Sequence, residues 1–282
     1  MPKSPTALKA PPPLNVPGIP VARQRRPAPG LRDVIVVLGA LPQETELVDR
    51  ALSGRKRGRL GPFPYTEGRI AGNRVIVAAT GIGKTCASMI TMLFAGHFRP
   101  RALLMTGTAS RINPEVRNGD VIVGESVCNH DFGSLLPGFK MEYFGAEGPL
   151  GDPMPILYPA APGLLAAARR AISSHVPETA VQHDPSYVPR ARVGRITSGD
   201  QFGIPAERIA DIRLQLAPDL MEMESGSTAE VCWSLRIPFL CIRGGSNLTQ
   251  NSPEGDYRKL SPFASRQAAL FTVSLLGELG RS

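Results

Sequence analysis

From Asp33 onward, short runs of β-branched and other apolar residues alternate with longer stretches in which apolar positions return at helical spacing. That alternation predicts helices packed on a buried, largely parallel sheet. The runs read as strands are Val34 to Gly39, Arg74 to Ala79, Ala102 to Thr106, Val121 to Gly124, Arg195 to Ser198, Leu220 to Met223 and Phe239 to Arg243. Helical spacing covers Pro42 to about Leu52, Lys84 to Gly96, Gly163 to His175, Ala206 to Leu216, Ser225 to Arg236 and Ala264 to Leu276. Pro42 suits a first helical turn, where its missing N–H has no intrahelical partner to lose. Gly133 to Arg192, with scattered Pro and Gly, is the least regular stretch and predicts long surface loops. No repeat or composition break divides the chain beyond residue 32. The expected fold is one α/β domain, residues 32–282, with a central mixed and largely parallel twisted sheet flanked by helices.

The first 31 residues carry Pro11, Pro12, Pro13, Pro17, Pro20, Pro27 and Pro29 but no patterned apolar residues, which predicts a flexible tail. Lys3, Lys9, Arg23, Arg25 and Arg26 also fall there, so the formal charge of +8 leaves about +3 for the body. That is modest for a soluble domain and argues against nucleic acid as a partner. No apolar run reaches signal-peptide or membrane-spanning length, so no membrane partner is expected. Cys86, Cys128, Cys232 and Cys241 each sit in an apolar run rather than at paired spacings, predicting reduced thiols in a cytoplasm. The four histidines do not cluster with acids or cysteines, so neither a metal nor another cofactor is expected. His130 and Asp131 read as a surface hydrogen-bonded pair, with a polar pair near a site as the alternative.

Between a strand and a helix lies Thr80-Gly81-Ile82-Gly83-Lys84-Thr85, which has the outline of a phosphate-binding loop. Such a loop needs glycine five residues before Gly83, and Ala78 stands there. A dinucleotide fingerprint needs a third glycine or alanine where Cys86 stands. A tight glycine-lined turn remains, its N–H groups open to an anion, a sugar oxygen or a water.

Three separated segments together carry a resemblance. The first is Val36-Val37-Leu38-Gly39-Ala40-Leu41-Pro42-Gln43-Glu44. The second joins the Thr80 turn to Thr106-Gly107-Thr108-Ala109 and Asn118-Gly119-Asp120-Val121. The third, the most specific, comprises Ser198-Gly199-Asp200-Gln201-Phe202, Glu222-Met223-Glu224-Ser225 and Ile242-Arg243-Gly244-Gly245-Ser246-Asn247. From about Asp33 to Leu279 the chain resembles the nucleoside phosphorylase superfamily, most closely its 5'-methylthioadenosine and S-adenosylhomocysteine nucleosidase branch. The resemblance implies hydrolysis of the N-glycosidic bond of a purine nucleoside, with water as co-substrate. It implies that Glu44 activates the water, that Thr80 and Gly81 lie beside ribose and water, and that Phe202 stacks on the base. Met223 and Glu224 would hold the ribose, Arg243 would support the Glu44 region, and Ser246 and Asn247 would lie at the base. It further implies a homodimer or higher oligomer, with Phe132 and the loop after His130 as candidate side chains lent to a neighbour's site.

The residue types suit that chemistry on their own terms. Breaking an N-glycosidic bond builds positive charge on the ribose and negative charge on the base, which calls for carboxylates by the sugar and a donor by the base. Asn247 departs from the family pattern, because the hydrolases carry an aspartate at that position. An amide donates a hydrogen bond but cannot deliver a proton. The departure admits three readings: a weakened adenine-releasing enzyme, an enzyme for 6-oxopurines such as inosine or guanosine, or a substitution introduced to trap substrate. Met105, where related phosphorylases place a phosphate-binding arginine, favours water over phosphate. Arg111 and Arg243 leave phosphorolysis open, and a nucleoside-binding protein without turnover is the third alternative.

Overall fold

The computed structural model describes residues 26–134, 140–141, 154–179, 186–248 and 253–281. The apolar runs form strands, most of them longer than their pattern predicts. In chain order the elements are β1 (Arg32–Gly39), α1 (Pro42–Ala51), β2 (Ser53–Leu60), β3 (Phe63–Ile70), β4 (Asn73–Ala79), α2 (Lys84–Phe98), β5 (Pro100–Arg111) and β6 (Val121–Asn129). They continue with β7 (Gly133–Ser134), β8 (Lys140–Met141), β9 (Tyr158–Pro159), α3 (Pro162–Ser174), β10 (Ala191–Ser198) and α4 (Ala206–Leu216). The last are β11 (Leu220–Glu222), α5 (Ser225–Leu235), β12 (Phe239–Leu248) and α6 (Pro253–Gly280).

The main sheet runs β11-β10-β6-β12-β5-β1-β4-β3-β2, with β9 added on β6. Its centre is parallel: β1 lies between β4 and β5, and β12 follows β5 in the same sense. β6 runs antiparallel to β12, and β2, β3 and β4 pair antiparallel at the far edge. Alternation along the strands sends side chains to two cores. Ile35, Val37 and Leu104 join α1, α3 and α6 on one face. Val34, Val36, Leu38 and Leu103 join α2 and α5 on the other. Burying both faces of β1 explains its unbroken apolar run.

The far end of β5 pairs antiparallel with β11, Met221 opposite Ser110, while Gly245 of β12 lies opposite Ala109. The strands β5, β12, β6, β10 and β11 therefore close on themselves at one end of the main sheet. The β12 register slips between Gly245 and Leu248, which offsets Ser246 and Asn247 from the regular ladder. The carboxyl ends of β1, β4, β5, β11 and β12 converge there, the region where open α/β sheets bind ligands.

Candidate active site

Glu44 occupies the first turn of α1, where N–H groups lack intrahelical partners and the helix dipole favours negative charge. Its Oε2 accepts from Ala40 N–H at 2.8 Å and Leu41 N–H at 3.1 Å. Its Oε1 accepts from Thr108 N–H at 2.7 Å and the Thr108 hydroxyl at 2.9 Å. Arg243 Nη1 stands 4.0 Å from the same oxygen. Gly107, at φ +157°, makes the approach possible, since a Cβ there would lie 2.5 Å from Arg243 Nη1 and 2.7 Å from the Glu44 carboxyl.

Glu222 and Glu224 leave β11 and enter α5 around the fully buried Arg243. Glu222 accepts from Glu224 N–H and Ser225 N–H, each at 3.0 Å, and is bonded to Ser198 Oγ and Arg243 Nη2. Glu224 has fewer donors: Gly83 N–H at 3.0 Å and Arg243 Nη2 at 3.2 Å. Three buried carboxylates thus share one guanidinium. Burial raises Glu224 to about 8, with Arg243 opposing the rise and the charge on Glu222 adding to it. Burial alone would also loosen the Arg243 proton, but Glu222 and Glu224 outweigh it and hold the guanidinium charged.

A cavity of about 530 Å³ opens over these groups. Among the residues lining it are Glu44, Phe202, Met223, Glu224, Asn247 and Tyr257. Phe202 is 53% exposed, so it is not a core residue, and its ring meets Tyr257 edge-on at 6.1 Å. Asn247 Oδ1 accepts from Ser110 Oγ at 3.2 Å and lies 3.0 Å from Ser246 Oγ. Its Nδ2 lies 3.4 Å from the Leu248 carbonyl.

Four other residues expected at the site do not line this cavity: Thr80, Gly81, Arg243 and Ser246. The Thr80 hydroxyl bonds the Gly81 carbonyl at 2.7 Å, and Gly81 N–H bonds the Ala40 carbonyl at 2.9 Å, so both are spent on holding the turn. Further along, Gly83 N–H serves Glu224 and Lys84 N–H serves Asp200 at 2.8 Å. The anion-binding capacity expected of this turn is occupied by the protein's own carboxylates. Ser246 donates toward the Ala109 carbonyl at 3.0 Å. Met105 is fully buried among core residues and touches no part of the cavity, so its side chain carries no information about phosphate.

The expected His130–Asp131 surface pair is not formed. His130 is fully buried, with Nδ1 3.3 Å from Thr197 Oγ1, and burial lowers it to about 4. Asp131 instead pairs with Lys84 Nζ at 2.5 Å and accepts Asp200 N–H at 2.9 Å. Phe132 is 40% exposed, and much of the loop after it lies outside the described residues. Sequence reasoning quotes Ser198 and Glu222 within motifs without giving either a role, and it passes over Ser110 and Tyr257. Strand alternation marks Glu222, two positions from Glu224, and Ser198 opens a quoted motif, whereas Ser110 and Tyr257 become visible only through folding.

A family model described as the phosphorylase superfamily matches residues 34–276. Among curated proteins, the 5'-methylthioadenosine/S-adenosylhomocysteine nucleosidase of Tolumonas auensis is 26% identical over 247 residues, covering 87% of this chain and 99% of its own. The protein of that name from Mycobacterium bovis is 28% identical over 244 residues, covering 85% and 95%. The crystal structure of the Neisseria meningitidis nucleosidase in complex with methylthio-immucillin-A aligns with a TM-score of 0.73 at 25% identity, covering 87% of this chain and 99% of that one.

Proposed function

The chain belongs to the phosphorylase superfamily, and from that premise we propose that it hydrolyses the N-glycosidic bond of purine nucleosides, preferring those with a 6-oxopurine base. The observation that carries the reading is the distribution of hydrogen-bond donors around the cavity. Phosphate would need several donors beside the sugar, yet Ala40, Leu41, Thr108 and Gly83 N–H groups are all given to Glu44 or Glu224. Arg243 is likewise committed to carboxylates. A second anion among them would be repelled, whereas a neutral water is accepted.

In the proposed reaction Glu44 takes a proton from a water attacking the anomeric carbon, and Glu224 receives the ribose hydroxyls. The bond from that carbon to the purine nitrogen breaks, and its electron pair passes to the base. Phe202 supplies a face for the base, Met223 packs on the sugar, and the Asn247 NH2 donates to the negative charge developing on the purine. A 6-oxopurine presents acceptors at both N7 and O6 to that NH2. A 6-aminopurine turns its own NH2 toward it, leaving a donor unpaired at a cost of about 1–3 kcal/mol. An amide therefore serves a base that leaves as a delocalised anion without prior protonation. Water, rather than a cofactor, completes the reaction. We also assign the enzyme to the cytoplasm, in keeping with its four free thiols, and to a homodimer in which Phe132 reaches the neighbour's site.

The test is release of base from inosine, guanosine, adenosine and 5'-methylthioadenosine by the native chain and by Asn247→Asp. The proposal expects hypoxanthine or guanine to be released at least ten times faster than adenine, and the acid variant to shift toward adenine. A native chain that prefers the 6-aminopurines would overturn the base assignment.

A further inference from the structure

The carboxamide of Asn247 must face the base with a defined end, and a side-chain amide has two ends of nearly equal shape. Its neighbours settle the choice. On one side stands the Leu248 carbonyl, 3.4 Å from the amide, which attracts an NH2 and repels an oxygen. On the other side are two hydroxyls, Ser110 Oγ at 3.2 Å and Ser246 Oγ at 3.0 Å. Each hydroxyl has a single proton to give. Ser246 Oγ stands equally close, 3.0 Å, to the Ala109 carbonyl, so its one proton is shared between that carbonyl and Asn247 Oδ1. Ser110 Oγ has no second acceptor among the described residues, so it is the hydroxyl whose proton is committed to Asn247 Oδ1 alone.

We propose that Ser110 is a specificity-determining positioning residue: its hydroxyl fixes the Asn247 amide with NH2 toward the purine, and so sets the preference for bases accepting at both N7 and O6. The inference rests on the purine-releasing activity proposed above and adds to it the residue that orients the selecting group. Ser110 is well placed for this role. It sits where β5 pairs with β11, Met221 opposite, one residue beyond the Ala109–Gly245 pairing with β12, so strands on both sides restrain its backbone. It lines the same cavity as Asn247. The offset in β12 between Gly245 and Leu248 brings the amide to it.

Without the Ser110 hydroxyl the amide loses its orienting donor, and the end presented to the base is no longer controlled. For a 6-oxopurine this misplaces a donor; for a 6-aminopurine it makes an acceptor available to the exocyclic NH2. The two substrate classes therefore respond in opposite senses, which loss of packing alone does not produce.

The experiment measures kcat/KM for inosine and adenosine with the native chain, Ser110→Ala and Ser110→Thr. The inosine-to-adenosine ratio is expected to fall about tenfold in Ser110→Ala, the worth of one hydrogen bond, and to return in Ser110→Thr, which restores a hydroxyl. An equal loss on both substrates in Ser110→Ala, or a threonine variant that behaves like alanine, overturns the role of Ser110 while leaving the nucleosidase reading intact. A native chain that prefers adenosine overturns the amide orientation itself. One that releases neither base overturns both proposals.

Discussion

Replacing Glu44 by Gln keeps the side-chain shape and removes its charge. The native carboxylate accepts two backbone N–H groups on one oxygen and the Thr108 N–H and hydroxyl on the other. A carboxamide has only one oxygen. Turned toward Ala40 and Leu41, it sets its NH2 against the Thr108 N–H, where only the hydroxyl can rotate to accept. The reverse orientation opposes two backbone N–H groups and is worse. One charge-assisted hydrogen bond is therefore lost at best, about 2 kcal/mol, which corresponds to a fall of about 4–8 °C in Tm for a domain of this size. Turnover should fall by a factor of about 10² to 10⁴, the usual contribution of a general base. Thermal melting gives the first quantity and purine release below the transition gives the second, while calorimetry should still detect nucleoside binding. A folded Glu44→Gln protein with turnover within a few-fold of native would refute the assignment of Glu44 as the base.

Two further outcomes are expected, one at the site and one at the chain start. Glu224, raised to about 8 chiefly by burial, holds a proton in the folded chain over a range where the unfolded chain, with an ordinary carboxyl value of 4.5, has released it. Stability from this group is therefore lost as pH rises toward 8. Buried His130 and His175, lowered from 6.5, act with the opposite sign below that value. Tm should thus decline between pH 6.5 and 8 in the native empty enzyme, flatten in Glu224→Gln, and be accompanied by a rise in native kcat/KM as the carboxylate ionises; a Tm that climbs equally in both proteins contradicts this. Deleting residues 1–25 should leave Tm and turnover unchanged. Deletion through residue 31 also removes Ala28 N–H to Arg236 O at 3.1 Å and Arg99 Nη2 to Pro29 O at 2.9 Å, and should cost about 1–3 kcal/mol by denaturant titration. Equal effects of the two deletions would refute that division.

Apolar periodicity reveals the parallel centre of this fold because those strands are buried on both faces, as Ile35, Val36, Val37 and Leu38 show. It misses β2, whose Ser53 to Leu60 sequence is dominated by Arg, Lys and Gly and is largely exposed at the sheet edge. It also ends β12 too early, at Arg243, because the strand continues to Leu248 through residues of low strand preference, of which Gly244 and Gly245 are held by pairing with β5. Within the site, Glu44, Phe202, Met223, Glu224 and Asn247 stand out in short motifs and meet in one cavity. Ser110 does not, since its partner Asn247 is 137 positions away and nothing local distinguishes a cavity serine from a surface one. Thr80 and Gly81 show the converse: their motif is conspicuous because it shapes a turn, while the groups facing the carboxylates come from Gly83 and Lys84.

Identification of the sugar product formed from inosine, with and without saturating inorganic phosphate, tests hydrolysis most directly. Phosphorus NMR of the reaction distinguishes a phosphorylated sugar from free ribose in a single sample. Because the donors around the sugar are already given to Glu44 and Glu224, the expected result is free ribose and hypoxanthine at a rate independent of phosphate. A phosphate-dependent rate with accumulation of ribose 1-phosphate would contradict the account.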